Sequence, residues 1–259
     1  MKQLNPSYMK RILLIAGILV CILAAHIVWA QAPEGVITYE VKMNMHRRLP
    51  PERQEMKAMI PEFRTSKQQL VFRGTESLYK PIIEDEEEDM VASSGGGQMR
   101  MVFRMPNTEI YLDHSTANLL TKQEFMGKEY LIVDTLKVSP WKFGSETKVI
   151  QGYTCLQAYY TDESTPMGKQ EITAWFTTEL RPNLGPERFN SLPGTVLAVD
   201  INNEERVIVA QKIEMRELKK NELKVPSGGE RVSQAEFRKL MREQMEKMRN
   251  QGGGVFIRN

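Results

Sequence analysis

Cysteine is almost missing from this chain: two residues in 259, Cys21 and Cys155. Too few remain to staple a fold with disulfides, so stability must come from core packing. Histidine is nearly as scarce, at three residues. A Cys–His nucleophile pair needs its base within hydrogen-bond reach. His46 falls at a strand end and His114 in a turn, and neither has a sequence relation to Cys155. Asp113-His114-Ser115 contains the residue types of a catalytic triad, but consecutive residues cannot converge as a triad does. No catalytic residue is therefore assigned, no cofactor is implied, and the chain is expected not to be an enzyme. An excess of one charge is lacking too, with 35 Lys and Arg against 33 Asp and Glu. Nothing resembles the basic stripe that nucleic acid requires.

Long apolar runs are absent but for one, Ile12 to Trp29, which follows Lys10-Arg11 and ends in Val28-Trp29-Ala30. This is the pattern of a signal peptide cleaved after Ala30, leaving Gln31 as the first residue. The alternative is an uncleaved anchor, because about eighteen apolar residues just span a bilayer. Cys21 is a poor lipoprotein site, since Val20 precedes it and the apolar run continues past it. Cleavage removes three basic residues and no acidic ones, leaving 32 against 33, a net charge of about −1. The expectation from this leader is export, with a mature form that does not span the membrane.

What the rest of the sequence does contain is strands. From Val36 to His46, Ile37, Tyr39, Val41, Met43 and Met45 alternate with Thr38, Glu40, Lys42, Asn44 and His46, the period of a half-buried antiparallel strand. After Pro50-Pro51, Glu52 to Ile60 reads as a short helix stopped by Pro61. Gln68 to Tyr79 forms a second strand region. The acidic run Glu84 to Asp89 and the glycines through Gly97 predict an exposed, dispensable loop. Strands follow over Gln98 to Met105, Glu109 to Asp113, Ala117 to Phe125 and Lys128 to Leu136, joined by hairpin-length turns. Further strands run through Cys155 to Tyr160, Glu171 to Thr177, Thr195 to Ile201 and Val207 to Ile213. Cys155, Gln157 and Tyr159 are expected on one face, with Leu156, Ala158 and Tyr160 on the other.

Nine or ten sequential antiparallel strands with almost no helix predict a mainly β fold. Its sheet would be strongly curved, either closing or forming an open half-barrel. This β domain is assigned to 31–225, behind a signal peptide at 1–30. The remainder, 226–259, is a linker, a helix and a tail. Ser233 and Glu236 form a capping box opening that helix, which carries Phe237, Leu240, Met241, Met245 and Met248 on one face.

Three motifs organise the chain: I-Q-G-Y-T-C-L-Q-A from Ile150 to Ala158, W-F-T from Trp175 to Thr177, and G-P-E-R-F-N-S-L-P-G from Gly185 to Gly194. In that order and spacing they resemble the GLPGLI family of cell-envelope proteins from Bacteroidetes. The residues carrying the resemblance are Gly152, Tyr153, Cys155, Ala158 and Trp175, with Gly185, Pro186, Phe189, Leu192, Pro193 and Gly194 in the corner. Ser191 stands for the first glycine of the eponymous box, and Thr195-Val196 for its closing Leu-Ile. With the leader, the resemblance implies a location in the periplasm or cell envelope, but it supplies no reaction or ligand.

The corner has an architectural explanation first. Proline fixes φ, glycine permits unusual turns, and Phe189 and Leu192 anchor the loop to the core. Gly194 is expected to adopt a backbone conformation closed to residues with a Cβ. Restoring glycine at Ser191 is expected to be close to neutral, because serine forms the same turns. Such a loop also suits docking. Cys155 reads as a small, inert core residue. The leading functional expectation is a binding protein for an apolar or lipid-like ligand, or for an outer-membrane transport partner. The alternative is a Cu(I)-handling protein using Met and Cys sulfur. Met43-x-Met45 and Met99-x-Met101 are strand pairs, but His46 lies on the face opposite Met43 and Met45, so no metal ligand set is assigned. A hydrolase comes third.

Overall fold

A computed structural model describes residues 33–49, 51–83, 90–94, 97–101, 107–163 and 168–250. The chain divides at Pro33, and the fold below is that of the unit beginning at Glu34. The expected leader and its cleavage after Ala30, like the acidic run at 84–89, lie outside the described residues.

In chain order the strands are β1 (Glu34–Asn44), β2 (Phe63–Arg73), β3 (Glu76–Pro81), β4 (Met90–Ser94), β5 (Gly97–Met101), β6 (Thr108–Asp113) and β7 (Asn118–Phe125). Then come β8 (Lys128–Thr135), β9 (Lys142–Ile150), β10 (Tyr153–Asp162), β11 (Gln170–Thr177), β12 (Thr195–Ile201), β13 (Arg206–Met215), β14 (Glu230–Ser233) and one α-helix, α1 (Gln234–Asn250). Twelve strands form one open sheet in the order β14-β8-β7-β6-β3-β2-β1-β13-β12-β11-β10-β9, while β4 and β5 pair separately. Every pairing in the large sheet is antiparallel except β14 on β8.

The sheet is built from two meanders. One runs outward from β1 to β8; the other starts at the far edge with β9 and returns inward to β13, which pairs with β1. Its curvature follows from chain length. In the sheet, β8 and β9 lie ten strand spacings apart, about 48 Å if flat at roughly 4.8 Å each. The connection between them is only Leu136 to Trp141, which reaches about 25 Å fully extended. The sheet must curl to let the connection meet both ends, yet it stays open. The expected mainly β, curved, half-open architecture is the one observed.

Burial follows the two-residue period. One row crosses the sheet from Ile213 through Ile37, Leu70, Tyr79, Ile110 and Thr121 to Ile132. Ile37, Leu70 and Tyr79 pack with residues of β10 to β13 in the main core, on what is here termed the inner face. Toward β14 the same face is covered by α1, whose Phe237 stacks edge-on against Tyr130 (5.3 Å) and Phe125 (5.8 Å). Leu78, Tyr111, Leu120 and Leu131 form a smaller cluster, with Leu223 packed on it from the segment after β13. The Ser233–Glu236 capping box is present: the Glu236 carboxylate accepts from Ser233 N–H (2.7 Å), and Glu236 N–H donates to the Ser233 hydroxyl (3.2 Å).

Several local expectations are corrected. The region Gln68 to Tyr79 is two strands, broken at Gly74 (φ 53°). Pro51–Ala58 is a 3₁₀ helix. The loop expected up to Gly97 contains β4. The linker expected over Pro226 to Glu230 runs into β14, whose parallel pairing ties the last part of the chain to β8. In β10 the alternation breaks: Cys155, Ala158 and Tyr160 are buried while Leu156 and Tyr159 are exposed. The cause is a register irregularity, in which β9 advances from Thr147 to Phe143 while β10 advances from Leu156 to Ala158.

Candidate functional site: the corner between β11 and β12

Residues 178–194 leave β11, cross the inner face and return as β12. Backbone hydrogen bonds fold this segment onto itself. Asn183 N–H donates to Leu192 O (3.0 Å), Phe189 N–H to Pro186 O (3.0 Å), and Val196 N–H to Leu184 O (2.8 Å). Side chains then fix it to the sheet. The Tyr39 hydroxyl donates to Val196 O at 2.7 Å, Thr195 Oγ1 to Arg181 O at 2.6 Å, and Arg181 Nη1 to Glu76 O at 3.1 Å.

Leu184, Phe189 and Leu192 are each 1% exposed, and burying such side chains contributes about 1.5–3 kcal/mol apiece. They join Ile37, Tyr39 and Tyr79 in one core. The corner therefore occupies part of the inner face of the sheet. Trp141, the last residue of the short β8–β9 connection, stands edge-on to Tyr160 (4.6 Å) and Phe189 (6.5 Å). Its indole N–H donates to the Ser191 hydroxyl at 3.0 Å, and Ser139 N–H donates to the same oxygen at 3.3 Å. Ser191 is thus the acceptor joining the connection to the corner. Its replacement by glycine would remove that acceptor, so a cost is expected where the motif alone suggests none.

The corner glycines are required by close approach. Neither Gly185 nor Gly194 is among the glycines with left-handed φ. A Cβ on Gly194 would lie 2.1 Å from Thr177 O and 2.9 Å from Phe176 Cδ2; one on Gly185 would lie 2.0 Å from Phe189 O. The expectation of a special backbone conformation at Gly194 is corrected accordingly. Pro186 is buried, whereas Pro193 is exposed.

One ion pair inside the corner had no sequence motif to announce it. Glu187, at φ 50°, forms a two-pronged pair with Arg206 of β13, and Asn190 Nδ2 donates to the Glu187 carbonyl at 3.2 Å. Burial opposes ionisation of Glu187, but the charge and hydrogen bonds of Arg206, with Arg188 beyond, hold the carboxyl below its ordinary value. Arg188 in turn pairs with Asp162 at 3.0 Å and lies over the Phe189 ring.

The other motif residues serve the same core. Gly152 (φ 82°) and Gln151 (φ 50°) make the two-residue turn between β9 and β10. Ala158 faces Ala174 across the sheet, Tyr153 packs at the edge of the core, and Lys148 covers the Trp175 ring at 4.7 Å. Cys155 is fully buried in that core, and burial pushes its thiol up to about 11. Met45 packs instead with Leu49 and Ile60, with Met43 beside them. His46 Nε2 is engaged with Ile60 O at 2.9 Å, and Met99 and Met101 lie on β5. Of the sulfurs considered for Cu(I), Met43 and Met45 therefore belong to one cluster and Cys155 to another. Asp113 accepts directly from the Ser115 hydroxyl at 2.7 Å, with no hydrogen bond of the His114 ring to either of them, so these three do not form a triad.

No family model and no curated protein matches the chain. Solved structures of PNGF-II in its P21 and C2 crystal forms are similar to it, with TM-scores of 0.53 and 0.52 at 13% and 14% identity. They cover 82% of this chain but 34% and 33% of PNGF-II, so the chain spans about a third of that protein's length. At this identity the likeness concerns the fold alone. The class defined by fold and site is a curved, open antiparallel sheet filled by its own corner.

Proposed function

We propose that this chain is a non-enzymatic, exported cell-envelope accessory protein of the GLPGLI type, which works by binding a protein partner. The observation that carries this choice is the corner itself. Phe189, Leu184 and Leu192 occupy the inner face on which an apolar or lipid-like ligand would lie, which favours recognition at the outside of the fold. Exposed apolar side chains toward the β9 edge, Phe143, Val149, Leu156 and Tyr159, supply contact area of the kind partners bury. The Lys10-Arg11 leader pattern supports export. Native mass spectrometry of the protein recovered from the periplasm of its own cell is the test. A complex with a second polypeptide and no lipid is the expected result; a stoichiometric lipid or copper adduct without a polypeptide overturns the proposal.

A further inference from the structure

His114 occupies the turn between β6 and β7, against the leading arm of the corner. Its backbone N–H is fixed to Thr75 O at 3.1 Å, beside the Glu76 carbonyl that holds Arg181, and its ring lies against the Asn183 backbone. The other ring nitrogen, Nε2, is sealed from solvent and has no hydrogen-bond partner. The charged groups facing the ring are Arg181, from the arm, and Asp113, from its own turn. Asp113 is already committed. It accepts from Thr75 Oγ1 (3.0 Å), Ser115 N–H (2.9 Å), Ser115 Oγ (2.7 Å) and Thr116 Oγ1 (2.8 Å), which hold its carboxyl at about 2. Arg181 is fixed in place by its bonds to Glu76 O and from Thr195.

We propose that His114 is an acid-sensitive pin for the corner: protonating its sealed Nε2 beside Arg181 releases the arm Arg181 to Leu184 from the sheet rim. A neutral ring satisfies the Asn183 contact and leaves only an unused lone pair. An imidazolium places a second N–H and a positive charge where no acceptor waits and where a guanidinium is already fixed. Consistent with this, burial first and Arg181 second push His114 below its ordinary value, against the opposing pull of Asn183 and Asp113. The sign follows. The unfolded chain takes up the proton more readily, so the hold on the arm is complete above about pH 6.5 and weakens as pH falls below it.

The test is hydrogen exchange of the Asn183 and Leu184 amides at pH 7.5 and 5.5, corrected for the intrinsic pH dependence of exchange. Protection there is expected to fall several-fold at pH 5.5 while β1 amides hold, and His114→Gln is expected to abolish the fall. An equal fall in His114→Gln, or none in the wild type, overturns the proposal. Should the variant not fold, NMR titration of the wild-type ring decides. A midpoint below the ordinary histidine value supports the pin, and one at or above it overturns it.

Discussion

Replacing Gly194 by alanine adds one methyl group where the corner touches the end of β11. That carbon would sit 2.1 Å from Thr177 O, 2.8 Å from Thr177 C and 2.9 Å from Phe176 Cδ2. Two of the three obstacles are backbone atoms of a paired strand, so no rotamer change relieves them; the corner or the strand end must move by close to 1 Å. Overpacking a filled core costs about 1–3 kcal/mol, and this site belongs at the upper end because the backbone must yield, giving about 3 kcal/mol. Gly152 is the control. It has left-handed φ but open space around its missing Cβ, so Gly152→Ala costs only the conformational penalty, about 1 kcal/mol. In thermal unfolding these correspond to losses of roughly 6–12 °C and 2–4 °C for a fold of this size. Equal losses in the two variants, or a Gly194→Ala protein within about 0.5 kcal/mol of wild type, would refute the close-approach argument.

Ser191→Gly, which restores the family letter, removes the acceptor of two N–H groups and adds backbone freedom; a loss of about 2 kcal/mol is expected in urea unfolding, and an unchanged midpoint contradicts it. Glu187→Gln leaves Arg206 without its counter-charge at side-chain exposures of 25% and 22%, between the surface and buried limits. The expected cost is about 2 kcal/mol, and a double-mutant cycle with Arg206→Met that shows no coupling rejects this pair as a stabilising contact. Cys155, with its thiol near 11, is expected to react with a thiol reagent orders of magnitude more slowly in the native than in the denatured protein. Comparable rates would mean that the core opens at that strand.

What the sequence disclosed was whatever depends on local period. Ile37, Tyr39 and Val41 alternate because β1 has one buried face, and Met126-Gly127 reads as a turn because both residues take positive φ. The helix start at Ser233 was legible for the same reason: its signal lies within four residues. The faces of β10 were not, because the irregular register at Leu156/Ala158 depends on the neighbouring strand. At the corner, Phe189 and Leu192 announced themselves as anchors. The Glu187–Arg206 pair and the Trp141–Ser191 bond join residues 19 and 50 positions apart, and no spacing rule links such partners. At Gly194 the sequence suggested a special backbone conformation where the structure has a close approach to Thr177 O, and such an approach leaves no trace in a one-dimensional pattern.

The pairing of β1 with β13 has a consequence for how the chain comes into being. Gly35 meets Met215, so one edge of the first strand waits for a neighbour made 180 residues later. At translation rates of about 5–20 residues per second, that interval is roughly 10–40 s. During it the outward meander can zip from β1 to β8 as each hairpin emerges, while the other edge of Val36 to Lys42 stays bare and open to pairing with a foreign strand. The nascent protein is therefore most vulnerable at its oldest structured segment, and a holding chaperone would find its target there until β13 arrives.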